Sequence, residues 1–370
     1  MNTRTALVAI SRKGASLVQN LEGLEGTKDV FVNRRWFVAK EGHKPIDLPI
    51  KPTIQTIFAN YQNIILIMPV GAAVRLIAPH LRDKHSDPAV VCLDDSGNFS
   101  VSLLSGHLGG ADQLTLKISS HIGSIPVITS ASYMGRTIPV DLLGHEFDWT
   151  IESSSSIVTK VSADVVNGEP VSLYQQSGET SWWPKHKSFP DNITRSSTLG
   201  LLKDTPGDSA LIISDEADVS GSPNQPLEEI LSKSNIVIYR PQSLVIGMGC
   251  RKGVTFENLK ELLVSSLSNL NLSPKSIRTI ATADIKGGEP GLLSLAAYYN
   301  VPLTTYDTTQ LNAVFESGKY MISPSNSPLR LVGVGGVCEP SALLASGNTR
   351  LLMPKRKTDR ATIAVARMMF

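Results

Sequence analysis

The sequence predicts two α/β domains with mainly parallel sheets, joined by a smaller middle α/β domain. Three observations carry that prediction. Short strand-like runs alternate with helix-like stretches at both ends of the chain, as successive β–α units require. Glycines gather where strand-like runs meet helix-like ones. Between the two ends the sequence changes character and becomes turn-rich, with ESSSS, NGEP, QQSGETSWWPKHKSFPD and GSPNQP. These shifts place the domains at 1–132, 133–242 and 243–370.

Taken in order, TALVAI reads as a strand, SRKGASLVQNLEGL as turn and helix, and VFVNRRWFV as a second strand. NIILIMPV (63–70) is a buried-strand run, and GAAVRLIAPHL follows as a helix opened by glycine. PAVVCLD and FSVSLL are strands, GGADQLTLKISSHIG is a helix, and PVITS is the next strand. In the middle region IVTKVSADVV and SALIIS read as short strands and the serines at 153–156 as a connector or helix start; Trp182 and Trp183 read as buried packing, with a binding surface as the alternative. In the third block SLVIGMGC is a strand running into glycines. TFENLKELLVSSLSNL follows as an amphipathic helix with Thr255 at its N-cap. SIRTIATAD, VPLTTYD and LRLVGVGGV are strands, EPGLLSLAAYYN and EPSALLAS are helices, and RATIAVARMMF closes the sheet.

Bulk properties exclude several classes. The 370 residues include 41% hydrophobic and 18% charged, which suits a folded chain with substantial cores. A net charge of +2 gives no bulk drive toward nucleic acid. ALVAI is too short for the apolar core of a signal peptide, and no stretch approaches the ~20 apolar residues of a membrane span. Cys92, Cys250 and Cys338 are odd in number and far apart, so neither a disulfide framework nor a zinc cluster is expected. The expected compartment is a reducing cytoplasm.

Four strand ends share one device: PVGAAVR (69–75), SGHLGGAD (105–112), GMGCRKG (247–253) and GVGGVCEP (333–340). Any one of them can simply permit a tight turn. Four at the carboxyl ends of strands, where α/β proteins bind ligands, point to a ligand cleft with anion-binding helix starts. A nucleotide site fits poorly. GMGCRKG is one residue out of register with GxGxxG, the acid expected about 20 residues on is missing, and no GxxxxGK[ST] occurs. His107, in SGHLGGAD, can act as a general base near pH 7 beside N–H groups of Gly109, Gly110 and Ala111 that could hold an oxyanion. The alternative is a histidine that only hydrogen-bonds the turn. The other six histidines lack metal-ligand spacing, and no base is spaced to serve Cys250 or Cys338. Arg75, Lys84, Arg251, Lys252 and Lys286 fall at or soon after strand ends, which suits a small polyanionic ligand.

The run MPVGAAVRLIAPHLRDKHSDPAVVCLDDSGNFSVSLLSGHLGGADQL resembles the N-terminal domain of the cobalt-precorrin-5A hydrolase family, from the anaerobic route to cobalamin. VIGMGCRKGVTFENLKELL, TIATADIKGGEPGLLSLAAYYNVPLTTYD and VGVGGVCEPSALLAS are similar to its C-terminal domain. The chain departs from the family pattern at Asp112, at Gly287 and Gly288, and at Cys338. The resemblance implies hydrolytic opening of a δ-lactone on ring A of a cobalt corrinoid precursor, with release of acetaldehyde. For that reaction the residue chemistry itself offers His107, and Glu339 as a second candidate, as acid–base residues. Substrate contacts are expected from Gly71, Arg75, Lys84, Ser105, Gly109, Gly110, Asp112, Gly247, Gly249, Arg251, Lys286 and Glu289. No cofactor and no protein metal site are expected, because the cobalt is carried by the substrate. The expected partners are this small-molecule corrinoid and, transiently, pathway methyltransferases; neither nucleic acid nor membrane is expected. A non-catalytic tetrapyrrole carrier of the same pathway is the competing reading.

Overall fold

The structure is a computed structural model and describes residues 4–24, 26, 28–83, 86–106, 109–129, 137–184, 187–219, 227–320, 322 and 334–370. His107, Lys84 and most of LRLVGVGGV lie outside the described residues. The chain divides into two compact units, Met1–Arg136 and Thr137–Phe370.

The first unit is built on seven strands: β1 (Thr5–Ala9), β2 (Lys28–Asn33), β3 (His43–Ile46), β4 (Asn63–Ile67), β5 (Ala89–Leu93), β6 (Phe99–Leu104) and β7 (Ile125–Val127). Their order is β3-β2-β1-β4-β5-β6-β7, and every pair is parallel except β5/β6. All five residues of β1 are buried, as a central strand covered on both faces demands. Leu7 and Ala9 meet α1 (Arg12–Leu21) and α4 (Ala111–Ile122); Ala6 and Val8 meet α2 (Lys51–Asn60) and α3 (Val70–Ile77). Each large aliphatic side chain buried here contributes about 1.5–3 kcal/mol. The chain runs from β1 outward to β2 and β3, then returns to β4 on the other side of β1. That makes the carboxyl ends of β1 and β4 a topological switch point.

Some boundaries differ from those expected. The strand read as VFVNRRWFV stops at Asn33, where a 3₁₀ turn, Arg34–Trp36, begins. Helix α3 starts at Val70 behind Pro69, so Gly71 lies inside its first turn and does not open it. FSVSLL runs antiparallel to β5 because Asp94 closes a hairpin, its carboxylate accepting from the N–H groups of Ser96 and Phe99.

The second unit holds two five-stranded sheets. One comprises β8 (Thr150–Ile151), β9 (Val171–Gln175), β10 (Ile193–Ser196), β11 (Ser209–Ile213) and β12 (Asn235–Arg240), in the order β10-β9-β11-β12-β8. IVTKVSADVV, expected as a strand, is helix α5 (Ser155–Asn167), with the Ser154 side chain accepting from Ile157 N–H at its start. Its β-branched content suggests a strand, but Ile157, Val161 and Val165 recur every four residues, and Val161 and Val165 are fully buried. Trp182 packs with Trp183 and Phe189 and donates to Gln175 Oε1 at 2.8 Å, the packing role expected of it. A short helix, α6 (Leu227–Leu231), precedes β12.

The other sheet contains β13 (Leu244–Cys250), β14 (Ile277–Ala283), β15 (Leu303–Tyr306), β16 (Leu351–Lys357) and β17 (Ala361–Arg367), in the order β15-β14-β13-β17-β16. β13, β14 and β15 are parallel; the last two strands form an antiparallel hairpin. RATIAVARMMF therefore does not close the sheet. It runs inside it, and β16 takes the edge. α7 (Phe256–Asn269), capped by Thr255 as expected, and α8 (Pro290–Tyr299) cover one face. α10 (Cys338–Ser346) packs on the other, following α9 (Thr308–Glu316). The two sheets are tied by Asp215, fully buried, which accepts from Arg367 Nε and Nη2 at 2.8 Å each and from the Ser243 hydroxyl at 2.6 Å.

Candidate functional site

The turn before α4 is closed by its own polar groups. Ser105 sits in the left-handed region, φ 53°, and its hydroxyl donates to the Asp87 carbonyl at 3.0 Å. Its carbonyl accepts from Ala111 N–H at 3.1 Å, and the Gly106 carbonyl accepts from Asp112 N–H at 3.0 Å. The Asp112 side chain is buried and accepts from Ser102 Oγ at 2.6 Å. A methyl on Gly106 would stand 2.5 Å from that carboxylate, and one on Gly109 would stand 2.7 Å from the Ser105 carbonyl oxygen. Gly110 caps α4 with φ 85°. The glycines thus let the turn fold tightly on itself. This corrects one expectation: the Ala111 N–H is committed to Ser105 and is not available to an oxyanion. Because β6 is antiparallel to β5, this turn lies at the amino end of β5, whereas Gly71 and Arg75 follow the carboxyl end of β4 at the other end of the sheet. Gly71 and Arg75 are exposed and joined to each other, Arg75 Nη1 donating to the Gly71 carbonyl at 3.0 Å.

At the carboxyl ends of β13 and β14 the structure gathers a second group. Glu289 Oε2 accepts from Gly253 N–H at 3.0 Å, and Lys286 Nζ lies 3.1 Å from Glu289 Oε1. The Gly253 N–H, and after it Lys286, hold the Glu289 carboxyl below its usual 4.5. Burial pushes the neighbouring Cys250 thiol up to about 11, although Lys286 pulls the other way. Arg251 and Lys252 are exposed at the same turn. The group can bind an anion through its side-chain cations, with Glu289 fixing the loop that carries them.

Gly247 and Gly249 do not belong to this group. Both lie within β13, not at a turn after it. A methyl on Gly247 would overlap the Cys338 carbonyl, and one on Gly249 would stand 2.8 Å from Thr362 Oγ1. They admit α10 and the preceding loop onto the sheet, which gives both a packing role. Glu339, in the first turn of α10, accepts from the Lys355 backbone N–H at 3.0 Å and so anchors the edge strand β16. Among the described residues, no three or more His, Cys, Asp or Glu side chains are grouped to hold a metal ion, and no helix is long and apolar enough to cross a membrane.

Two features escaped the sequence reading. Asn312, on α9, accepts from Gly335 N–H at 3.2 Å and holds the loop before α10. Nothing in the sequence signals that pairing. The run RKG recurs, at 12–14 in the first turn of α1 and at 251–253 just after β13, a repeated signal that was there to be found.

Comparison with known proteins gives three consecutive matches. Residues 52–132 match the family model "Cobalamin synthesis G N-terminal", 138–241 "Cobalamin biosynthesis central region" and 244–366 "Cobalamin synthesis G C-terminus". A cobalt-precorrin-5A hydrolase of Priestia megaterium is 36% identical over 364 residues, covering 98% of this chain and 94% of that protein. The chain belongs to the cobalt-precorrin-5A hydrolase family. A second relative bearing that name, from Salmonella typhimurium, is 32% identical over 83% of this chain and 82% of its own length. A solved structure, a putative cobalamin biosynthesis protein G homolog from Sulfolobus solfataricus, is 21% identical over 99% of this chain and 97% of that one, with a TM-score of 0.37. The divergent middle segment of the sequence is therefore a domain of the family in its own right.

Proposed function

We propose that the chain is a cobalt-precorrin-5A hydrolase that opens the ring A δ-lactone of its substrate and releases acetaldehyde. The observation that carries this reading is the 36% identity to the Priestia megaterium hydrolase across nearly the whole of both chains. In the first step, water adds to the lactone carbonyl carbon, and the bond from that carbon to the ring oxygen breaks. The products are a carboxylate and a carbinol. In the second, a base takes the carbinol proton and the adjoining carbon–carbon bond breaks. Acetaldehyde leaves with the extruded carbon and its methyl group, while the bonding pair stays on the macrocycle and takes up a proton. The sequence consumes water alone, so we assign no cofactor; the cobalt arrives and departs with the corrinoid.

His107 is the residue we assign as base, since an imidazole exchanges protons near pH 7. Glu339 is the weaker candidate because its carboxylate already holds Lys355. Arg251, Lys252 and Lys286 suit the substrate's carboxylates. The product passes on to methylation, which makes brief contact with pathway methyltransferases part of the proposal. The test is acetaldehyde release from cobalt-precorrin-5A, followed by NADH oxidation through alcohol dehydrogenase. His107→Asn is expected to lower turnover by about 10²–10⁴-fold while leaving corrinoid binding intact. Undiminished turnover would move the base elsewhere. A wild type that binds corrinoid but releases no acetaldehyde would make the chain a carrier.

A further inference from the structure

Among the described residues of the first unit, two of the cavities differ in what their cations are doing. The one of about 480 Å³ lies beside Arg4 and Tyr61, before β1 and β4 begin. Both its cations are spent on one acid: Arg4 pairs with Asp29 at 2.9 Å and Lys44 pairs with it at 3.1 Å. The other, about 300 Å³, runs along α1, from Arg12 at its start to Glu22 at its end, against the chain between Trp36 and His43. Trp36 and Val38 give it an apolar wall, and Val38 is 72% exposed, more than any other large hydrophobic side chain among the described residues. On its rim Lys40 is neutralised by Glu22, which also faces His43 Nε2 at 3.3 Å. Arg12 has no carboxylate partner among the described residues, and its guanidinium carbon lies 5.7 Å from the centre of the Trp36 ring.

An exposed apolar wall beside one uncommitted guanidinium suits a ligand that is flat and apolar on one side and carries a carboxylate on its edge. Arg12 is the first residue of α1, and it is exposed. We propose that this cavity is a subsite for the corrinoid, with Trp36 and Val38 against the macrocycle and Arg12 paired with one of its peripheral carboxylates. The proposal rests on the hydrolase reading.

The test uses the full chain with two probes, cobyrinic acid and its heptamethyl ester, which share a ring and differ in charge. Binding is measured by equilibrium dialysis, and KM and kcat with cobalt-precorrin-5A. Arg12→Gln is expected to weaken the acid about tenfold and leave the ester unchanged, raising KM with kcat intact. Trp36→Leu should weaken both probes about tenfold, and Trp36→Phe should recover most of the loss. Val38→Asp, at an exposed position that the fold does not depend on, should weaken the acid more than the ester. If Arg12→Gln and Val38→Asp bind both probes as wild type does, and wild type turns over substrate, the subsite is wrong and the hydrolase reading stands. A wild type that neither binds the acid nor releases acetaldehyde overturns both.

Discussion

Gly247→Ala tests whether that glycine serves a ligand or the fold. The added methyl would stand 2.8 Å from the Cys338 carbonyl carbon and 2.9 Å from Ala342 Cβ, besides overlapping the Cys338 carbonyl oxygen. Carbon atoms need ~3.5–4.0 Å and a carbon–oxygen contact little less, so relieving the overlap with the Cys338 oxygen lifts α10 from β13 by about 1.5 Å. The displaced atoms are backbone, and Cys338, Ala342 and Leu343 are all buried, so no side-chain rotation relieves the overlap. Overpacking of this kind costs ~1–3 kcal/mol, and a forced helix shift belongs at the upper end. At ~1.4 kcal/mol per factor of ten, amides of β13 and β17 should exchange about 10²-fold faster than in wild type. Gly253→Ala is the control: nothing lies within 4 Å of its methyl, but φ is +73°. The left-handed strain alone is worth ~1–2 kcal/mol and should stay local to the turn. Hydrogen exchange of the full chain, read on peptides spanning 244–250 and 361–367, measures both. Wild-type exchange in Gly247→Ala, together with lost corrinoid binding, would refute the packing argument and return Gly247 to the substrate.

Three further outcomes are expected. Glu289 titrates below its usual 4.5, so its pairing with Gly253 N–H and Lys286 stabilises the 251–253 turn above that pH and is lost as the pH falls through the lowered value. Glu289→Gln should speed exchange in that turn at pH 7, with the difference from wild type closing below pH 4.5. Asp215→Ala leaves Arg367 without its acid; because Arg367 is 30% exposed, the cost sits at the low end of ~3–5 kcal/mol, a drop of about 10 °C in the calorimetric midpoint of the second unit. Burial pushes Cys250 and Cys338 to about 11, so Cys250→Ser and Cys338→Ala should keep most turnover; a folded variant without activity would reveal thiol chemistry.

The elements the sequence disclosed best were those whose burial is simple. NIILI, LVIGMGC and IRTIATA are strands with nearly every residue inside, and Thr255 and Pro290 mark helix starts by local chemistry alone. Elements with weaker signals were lost. β3 is HKPI, half exposed, and α9 begins at Asp307, whose capping box with Gln310 reads in sequence as the end of a strand. α5 misled because its residue types favour a strand while its period is helical. The candidate site was half legible for a related reason. Sequence shows that a glycine is needed but not what presses on it. At Gly106 it is Asp112, at Gly247 it is α10, and only contacts distant in sequence distinguish such cases from a ligand.

Those contacts change which groups are left to recognise an anion. The expectation from four glycine turns was a set of backbone donors aimed at substrate oxygens. In the structure the Gly14 N–H is given to Ser11 Oγ, the Gly253 N–H to Glu289, and the Ala111 and Asp112 N–H groups to carbonyls of their own turn. Gly71 lends its carbonyl to Arg75. What each unit still presents to solvent are side chains: Arg12 and Lys13 in the first turn of α1 in one, Arg251 and Lys252 after β13 in the other. Guanidinium and ammonium groups on flexible stems can follow carboxylates spaced around a large ring, whereas fixed N–H groups require one exact placement. A polycarboxylated macrocycle that alters its own periphery during the reaction is better held by the former. The glycines build the turns, and in the reading proposed above the cations, not the backbone donors, carry the recognition.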